Sequence, residues 1–231
     1  MIDKGVVREF GRLIGQAEKE AIDSMKDGKI ETEPSITDRL SEKIEQVFKQ
    51  HVKKNSITFD VRVLRDRGPG ASERKYGADV CAVLNVNMQN FKIAKGFLAQ
   101  SKMEGRGIKV HTSNYRGTTV DIHCDESLRE QTDKMLSVTP DSFVFIYSQD
   151  GFVVVPALSV NALAKRGRIY GKTLRRFFMD YLECFIGDHR LKAFDDDSLE
   201  VLRNETNARL LFLFDIRTDF GYDILNQVRF K

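Results

Sequence analysis

The sequence predicts an α/β fold: a central mixed β-sheet flanked by helices, with further helices at both ends. Three observations predict it. Two amphipathic stretches near the N-terminus carry apolar residues at helical spacing. Residues 57–64 alternate apolar and polar, as a half-buried strand does. Two short apolar runs follow, at 80–86 and 97–102, each with polar flanks. The order is helix, three strands, helix, strand and then largely helical material.

The first helix is expected over residues 5–27. Val6, Val7, Phe10, Leu13, Ile14, Ala17, Ala21 and Met25 form its stripe, and Asp27-Gly28 ends it. The second is expected to run from about Glu33 or Ser35 to Val52, with Pro34 in the first turn and Ile36, Leu40, Ile44, Val47 and Phe48 facing inward. If this helix reaches back to Glu33, that acid falls on the stripe side. A buried carboxylate there needs a partner; a plain first-turn Glu favoured by the helix dipole is the alternative.

After the alternating strand, Arg65 to Tyr76 reads as a loop with Gly68-Pro69-Gly70 at its tip and Arg65, Arg67, Arg74 and Lys75 around it. It suits a nucleic-acid backbone or a simple hairpin connection. Asn85 to Phe91 is expected as a turn between the two apolar strands, and Glu104 to Gly107 closes the second. Asp125–Leu136 reads as a helix, and 143–147 and 152–155 as strands around Gln149-Asp150-Gly151. Residues 156–165 and 173–185 read as helices, and 199–214 as a further apolar helix or a helix-strand stretch.

Composition limits the function classes. The chain has 231 residues and a net charge of +3, enough for one sizeable domain or a domain with an appendage. No apolar run approaches the ~20 residues of a membrane span, and the first residues lack a signal-peptide core, so a cytoplasmic protein is expected. Cys81, Cys124 and Cys184 are widely spaced and odd in number, which fits reduced, buried thiols. Charge is uneven: residues 53–116 hold 13 Lys/Arg against 5 Asp/Glu, 117–164 hold 2 against 7, and 165–192 hold 8 against 3. The basic segments suit a polyanion or an ordinary solvated face.

Several motifs lead nowhere. Gly167-Arg168-Ile169-Tyr170-Gly171-Lys172-Thr173 has three residues between its glycines where a phosphate-binding loop needs four, and reads better as a basic helix entry. His111, His123 and Cys124 lack zinc-ligand spacing. Asp195 to Asp197 is a turn or helix start, and no Gly-x-Ser-x-Gly elbow is present.

The candidate chemistry lies in Gly77-Ala78-Asp79 and Gln100-Ser101-Lys102. In a strand, Gln100 and Lys102 share one face and Ser101 takes the other. If the two strands pair, an acid stands near an amide and an amine. Phosphodiester hydrolysis needs a metal to activate water and offset charge on the phosphate, and magnesium takes one or two carboxylates with several waters. Asp79, the Gln100 amide oxygen, the Ser101 backbone carbonyl and Glu33 are the candidate ligands. Lys102 would orient or deprotonate water or stabilise phosphate oxygens.

Glu33, Gly77-Ala78-Asp79 and Gln100-Ser101-Lys102 resemble the acid, aspartate and (D/E/Q)xK pattern of the PD-(D/E)xK, or restriction-endonuclease-like, nuclease superfamily, in its Gln-x-Lys subset. The resemblance covers residues 33–155 and implies a core of helix, three-stranded meander, helix and strand. It implies a magnesium-dependent endonuclease, with manganese as a possible substitute, acting on DNA before RNA in restriction, antiphage defence or repair. Asp79, Gln100, Lys102 and Glu33 would be catalytic, and Arg65, Arg67, Arg74, Lys75, Arg106, Lys172 and Arg175 would bind nucleic acid. No Pro precedes Asp79, and Gln100 replaces the usual acid, which weakens metal affinity. The alternative is a non-catalytic nucleic-acid-binding or assembly module on the same fold. The whole chain is read as one domain: a helical appendage over 1–30, the core, and a mainly helical part over 156–231 whose helices, like the first, are candidate homodimer surfaces.

Overall fold

In the computed structural model, residues 2–49, 57–65, 78–88, 91–105, 107–113, 117–206 and 208–218 are described. They contain six helices and nine strands. In chain order these are α1 (Lys4–Lys26), α2 (Glu33–Lys49), β1 (Ile57–Arg65), β2 (Val80–Met88), β3 (Phe91–Met103), β4 (Ile108–Ser113), β5 (Gly117–His123), α3 (Glu126–Val138), β6 (Ser142–Tyr147), β7 (Val153–Pro156), α4 (Ala157–Asn161), β8 (Arg166–Thr173), α5 (Leu174–Leu182), α6 (Asp196–Thr206) and β9 (Leu210–Thr218).

The strands form one mixed sheet in the order β1-β9-β2-β3-β6-β7-β8-β5-β4. β2 and β3 are antiparallel, β3 and β6 parallel, and β2 and β9 parallel. Helices cover both faces, so the central strands are apolar on both sides. On one face, α1, α2 and α5 pack over Phe59, Phe97, Phe145 and Phe214. Their phenylalanines meet mostly edge to face: Phe10 lies 5.3 Å from Phe48, and Phe97 5.1 Å from Phe177. On the other face, Met135 of α3, Ala157 of α4 and Leu199 and Leu202 of α6 pack on Cys81, Val83, Leu98 and Leu213. A third cluster lies under the β4-β5-β8 wing, around Val120, Ile122, Val144 and Ile169.

α1 starts where expected, because the Asp3 carboxylate caps it by accepting from Gly5 N at 2.7 Å. α2 begins at Glu33 with Pro34 in its first turn. β2 and β3 each run further than their apolar runs, to Met88 and from Phe91, so the expected turn over 85–91 is mostly ladder.

Three expectations change. The meander is interrupted: β9 lies between β1 and β2, antiparallel to the first and parallel to the second. Residues 166–173 form strand β8 rather than a helix entry, and the segment after Pro156 supplies two strands besides α4, α5 and α6. A hairpin, β4-β5, occupies residues 108–123 and pairs through β5 with β8. Of the three free cysteines, Cys81 and Cys124 are buried, whereas Cys184 is exposed just after α5. Among the described residues no helix is long and apolar enough to cross a membrane.

Candidate active site

The site is built where β2 begins and β3 ends. In the antiparallel register Val80 faces Ala99, and Asp79 N donates to Ala99 O at 2.9 Å, so Asp79 is carried against the next residues of β3. Gln100 Nε2 donates to Asp79 Oδ2 at 2.6 Å, and Ser101 N donates to the same oxygen at 3.0 Å. Asp79 is 6% exposed and Gln100 5%. Two N–H donors fix the carboxylate's direction.

Alternation along β3 separates the neighbouring side chains as expected. Gln100 and Lys102 share one face. The Ser101 hydroxyl points to the other, into a buried cluster with Thr37 of α2 and Tyr147 of β6. Thr37 Oγ1 lies 3.0 Å from Ser101 Oγ and 3.1 Å from Tyr147 OH, and the last two are 3.1 Å apart. Burial pushes the Tyr147 phenol up to about 12, so it stays protonated at neutral pH. The cluster ties α2 to the sheet directly beneath the site.

That tie places Glu33. Its Oε1 accepts from Met103 N at 3.1 Å, and its Oε2 lies 4.0 Å from Lys102 Nζ. Both side chains are partly buried, 18% and 36% exposed, and at 4.0 Å the pair is long, worth about 1 kcal/mol. Both line a cleft of about 580 Å³ between the N-termini of α2 and α3. Asp125 caps α3 there, accepting from Leu128 N at 2.8 Å. Among the described residues the cleft is acidic: Glu31, Glu33, Glu104 and Asp125 line it, with Lys102 as the one ammonium. Two helix N-termini offset part of that charge.

The predicted residues therefore form two units along the end of β3. Asp79, Gln100 and Ser101 form the inner, nearly buried one, and Glu33, Lys102 and Met103 the outer one. Among the described residues no three His, Cys, Asp or Glu side chains stand together as a metal site. One carboxylate, one amide, one backbone carbonyl and water still suit a single magnesium ion, and the acidic cleft would concentrate a cation. The Gln100 amide donates to Asp79, so it must turn over to offer its oxygen to a cation.

The predicted basic residues are dispersed. Arg65 pairs with Leu210 at the site end of the sheet, but its Nη2 donates to Ser41 Oγ at 3.2 Å. Lys172 shares a cross-strand row with Val154, Phe145 and Ser101, and its Nζ lies 2.7 Å from Asp180 Oδ2. Arg175 is exposed on α5, with its aliphatic chain beside Gly11 and Gly15 of α1. Arg67, Arg74, Lys75 and Arg106, and Gly77 of the motif, lie outside the described residues.

Sequence reasoning missed Thr37, Tyr147 and Arg209. Arg209 immediately precedes β9 as Asp79 precedes β2; Leu210 N donates to Asp79 O at 2.9 Å, and Arg209 Nη2 donates to Pro34 O at 3.2 Å. Arg209 Nη1 also pairs with Asp38, so this arginine fastens the first turns of α2 beside the site. Only the β9–β2 pairing reveals it; an arginine before an apolar run carries no signal alone. No family model, no curated protein and no solved structure matches the chain.

Proposed function

We propose that the protein is a magnesium-dependent nuclease with a restriction-endonuclease-like core, acting on DNA before RNA. One observation carries this reading. A strand bearing Gln100 and Lys102 on one face brings the amide to 2.6 Å from Asp79 and places the ammonium at a cleft with Glu33. Leaving aside the β4-β5 hairpin between β3 and α3, the order α2, β1, β2, β3, α3, β6 is similar to the implied core, with β2 and β3 antiparallel and β6 parallel to β3; that hairpin and β9 between β1 and β2 are departures.

Asp79, the Gln100 amide, the Ser101 carbonyl and Glu33 would hold the ion. Bound there, magnesium, or manganese in its place, supplies water activation and neutralises phosphate charge. The protein's own groups divide the remaining work. Asp79 is held in direction by Gln100 and Ser101 N. Glu33 is held against Met103 N. Lys102 is the cation that would stabilise phosphate oxygens or orient water.

A non-catalytic nucleic-acid-binding module is the second reading. The closed Gln100–Asp79 contact favours it, because it satisfies the carboxylate within the protein. Incubation with magnesium and plasmid, single-stranded DNA or RNA separates the two. The nuclease reading expects cleavage that Asp79→Ala and Lys102→Ala abolish. If the parent cuts none of these substrates with magnesium or manganese, the nuclease reading falls.

A further inference from the structure

The acidic cleft is poorly suited to gripping a polyanion, so the nucleic acid needs another hold. Strand β8 offers one. Its burial alternates: Arg166, Arg168, Tyr170 and Lys172 are exposed, Ile169 is buried, and Gly167 and Gly171 lie on the inner side. The glycines serve packing. A Cβ at Gly167 would come within 2.4 Å of Leu163 Cδ2, and one at Gly171 within 2.5 Å of Val153 Cγ1. Their spacing is thus explained without a phosphate loop, and the informative side of the motif is the outer one.

On that face β8 pairs with β5 and β5 with β4, so Arg166 stands opposite His123, and Asp121 lies between Arg168 and Lys109. Asp121 accepts from Arg168 Nε at 2.6 Å and Nη2 at 2.9 Å, and lies 2.8 Å from His111 Nε2. This bidentate contact fixes the plane of Arg168, which stays 63% exposed, and holds the Asp121 carboxyl well below its usual range. Lys109, Arg166 and Arg168 line a groove of about 710 Å³ in which, among the described residues, Asp121 is the one acid. The groove shares Ile108 and His123 with the acidic cleft. Tyr170, in the next cross-strand row with Thr119 and His111, is 78% exposed.

From this we infer that the outer face of β8, with Lys109 and His123 beside it, binds a single polynucleotide strand and leads it to the Lys102 cleft; the second half of that statement rests on the nuclease reading. Exposed residues two apart on a strand recur about every 6.7 Å, so Arg166 to Lys172 form a track about 20 Å long. Basic groups along such a track hold phosphates, while an exposed ring stacks on a base. Duplex bases hide their faces, so Tyr170 discriminates in favour of unpaired strand.

The test is binding without cleavage. Fluorescence polarisation of a labelled single-stranded oligonucleotide is measured in EDTA on the Lys102→Ala protein, with matched duplex as comparison. Tyr170→Ala should weaken single-strand binding about tenfold and duplex binding much less. Lys109→Ala with Arg166→Ala should weaken both and lower the salt slope by about 1–2. These side chains are exposed, and an unchanged melting temperature confirms folding. Unaltered single-strand affinity in Tyr170→Ala, duplex bound as tightly as single strand, or displacement of the oligonucleotide by anionic phospholipid vesicles overturns the inference. Cleavage by the unsubstituted protein is scored separately. Absence of cutting with a Tyr170-dependent affinity removes the nuclease reading alone, and cutting with no Tyr170 effect removes this one alone.

Discussion

Replacing Gln100 by Glu tests the metal site without relying on activity. Gln100 Nε2 lies 2.6 Å from Asp79 Oδ2, and both residues are almost fully buried. The substitution turns a donor–acceptor contact into two facing carboxylates. Even if the pair relaxes to about 4 Å, repulsion between two charges at an effective dielectric near 20 is about 4 kcal/mol. The pair lowers this cost by sharing a proton, so the penalty is largest at pH 8 and smaller at pH 5. For a chain of this length 1 kcal/mol moves the melting temperature by about 2–4 °C, so a drop of about 8–16 °C is expected at pH 8 in EDTA. Magnesium should reverse much of it, since a ligand at a hundred times its Kd returns about 2.7 kcal/mol. The assay is thermal unfolding of parent and variant at both pH values, with EDTA or magnesium. A variant that magnesium stabilises no more than the parent would show that Gln100 stands outside any coordination shell, and the metal reading of Asp79 and Gln100 would be refuted.

Lys102→Ala should lower the cleavage rate by about two to four orders of magnitude, since it removes a charge aimed at the phosphate; gel assays of initial rate read this, and a change below threefold contradicts the role. Tyr147→Phe removes one hydroxyl from the Thr37–Ser101–Tyr147 cluster and should cost about 1 kcal/mol in urea unfolding while leaving the cleavage rate unchanged; lost cleavage in a stable variant would give the phenol a chemical part. Gly96→Ala puts a Cβ 2.7 Å from Leu191 O and 2.8 Å from Ala82 O, so β3 must shift, and the urea midpoint should fall by an amount worth about 1–3 kcal/mol. Burial raises the Glu18 carboxyl from 4.5 to about 7, against the opposing pull of its hydrogen bond from Phe152 N. The native state then holds a proton the unfolded chain has lost, so stability falls as pH rises from about 4.5 to about 7, by at most about 3–4 kcal/mol. Glu18→Gln should flatten that fall; parallel melting curves for parent and variant would refute it.

What the sequence revealed follows from which patterns are unambiguous. α1 and α2 each have one buried face, so 3.6-residue periodicity exposes them, and Glu33 could be separated from Asp38, Glu42 and Glu45 by phase. β1 is half-buried and alternates. The Gln100-Ser101-Lys102 triplet was legible because strand alternation is strict, and Ser101 does turn away to Thr37 and Tyr147. β9 was not legible. Leu210, Leu211, Phe212, Leu213 and Phe214 are all buried, so the segment has no polar face, and an apolar run of that kind reads equally as buried helix or buried strand. β8 failed for the opposite reason. Its outer face is basic and its inner face holds two glycines, which lowers strand propensity and imitates a loop. The β4-β5 hairpin alternates, with Ile108, Val110, Val120 and Ile122 inward, but each strand offers only two apolar residues, too short a pattern to stand out.

The ambiguity of β9 bears directly on the candidate site, because that strand completes it. Asp79 is the last residue before β2, and a position at a strand end is free to fray unless both its backbone groups are engaged. β3 takes its N–H through Ala99 O, and β9 takes its carbonyl through Leu210 N. Next to that contact, Arg209 bonds Pro34 O and Asp38, which fixes the first turn of α2 and with it Glu33. So Asp79 and Glu33, contributed by different elements, are oriented by adjacent residues of one late strand. The core of the resemblance, residues 33–155, contains every predicted ligand and the side-chain contacts of Asp79 and Glu33, but the Leu210 and Arg209 contacts that also position them come from outside it. Parallel pairing of β9 with β2 brings a segment about 130 residues distant in the chain to the same sheet end, and parallel neighbours need such long crossovers. The motif specifies which groups can act, while their geometry depends on a strand that no local pattern links to them.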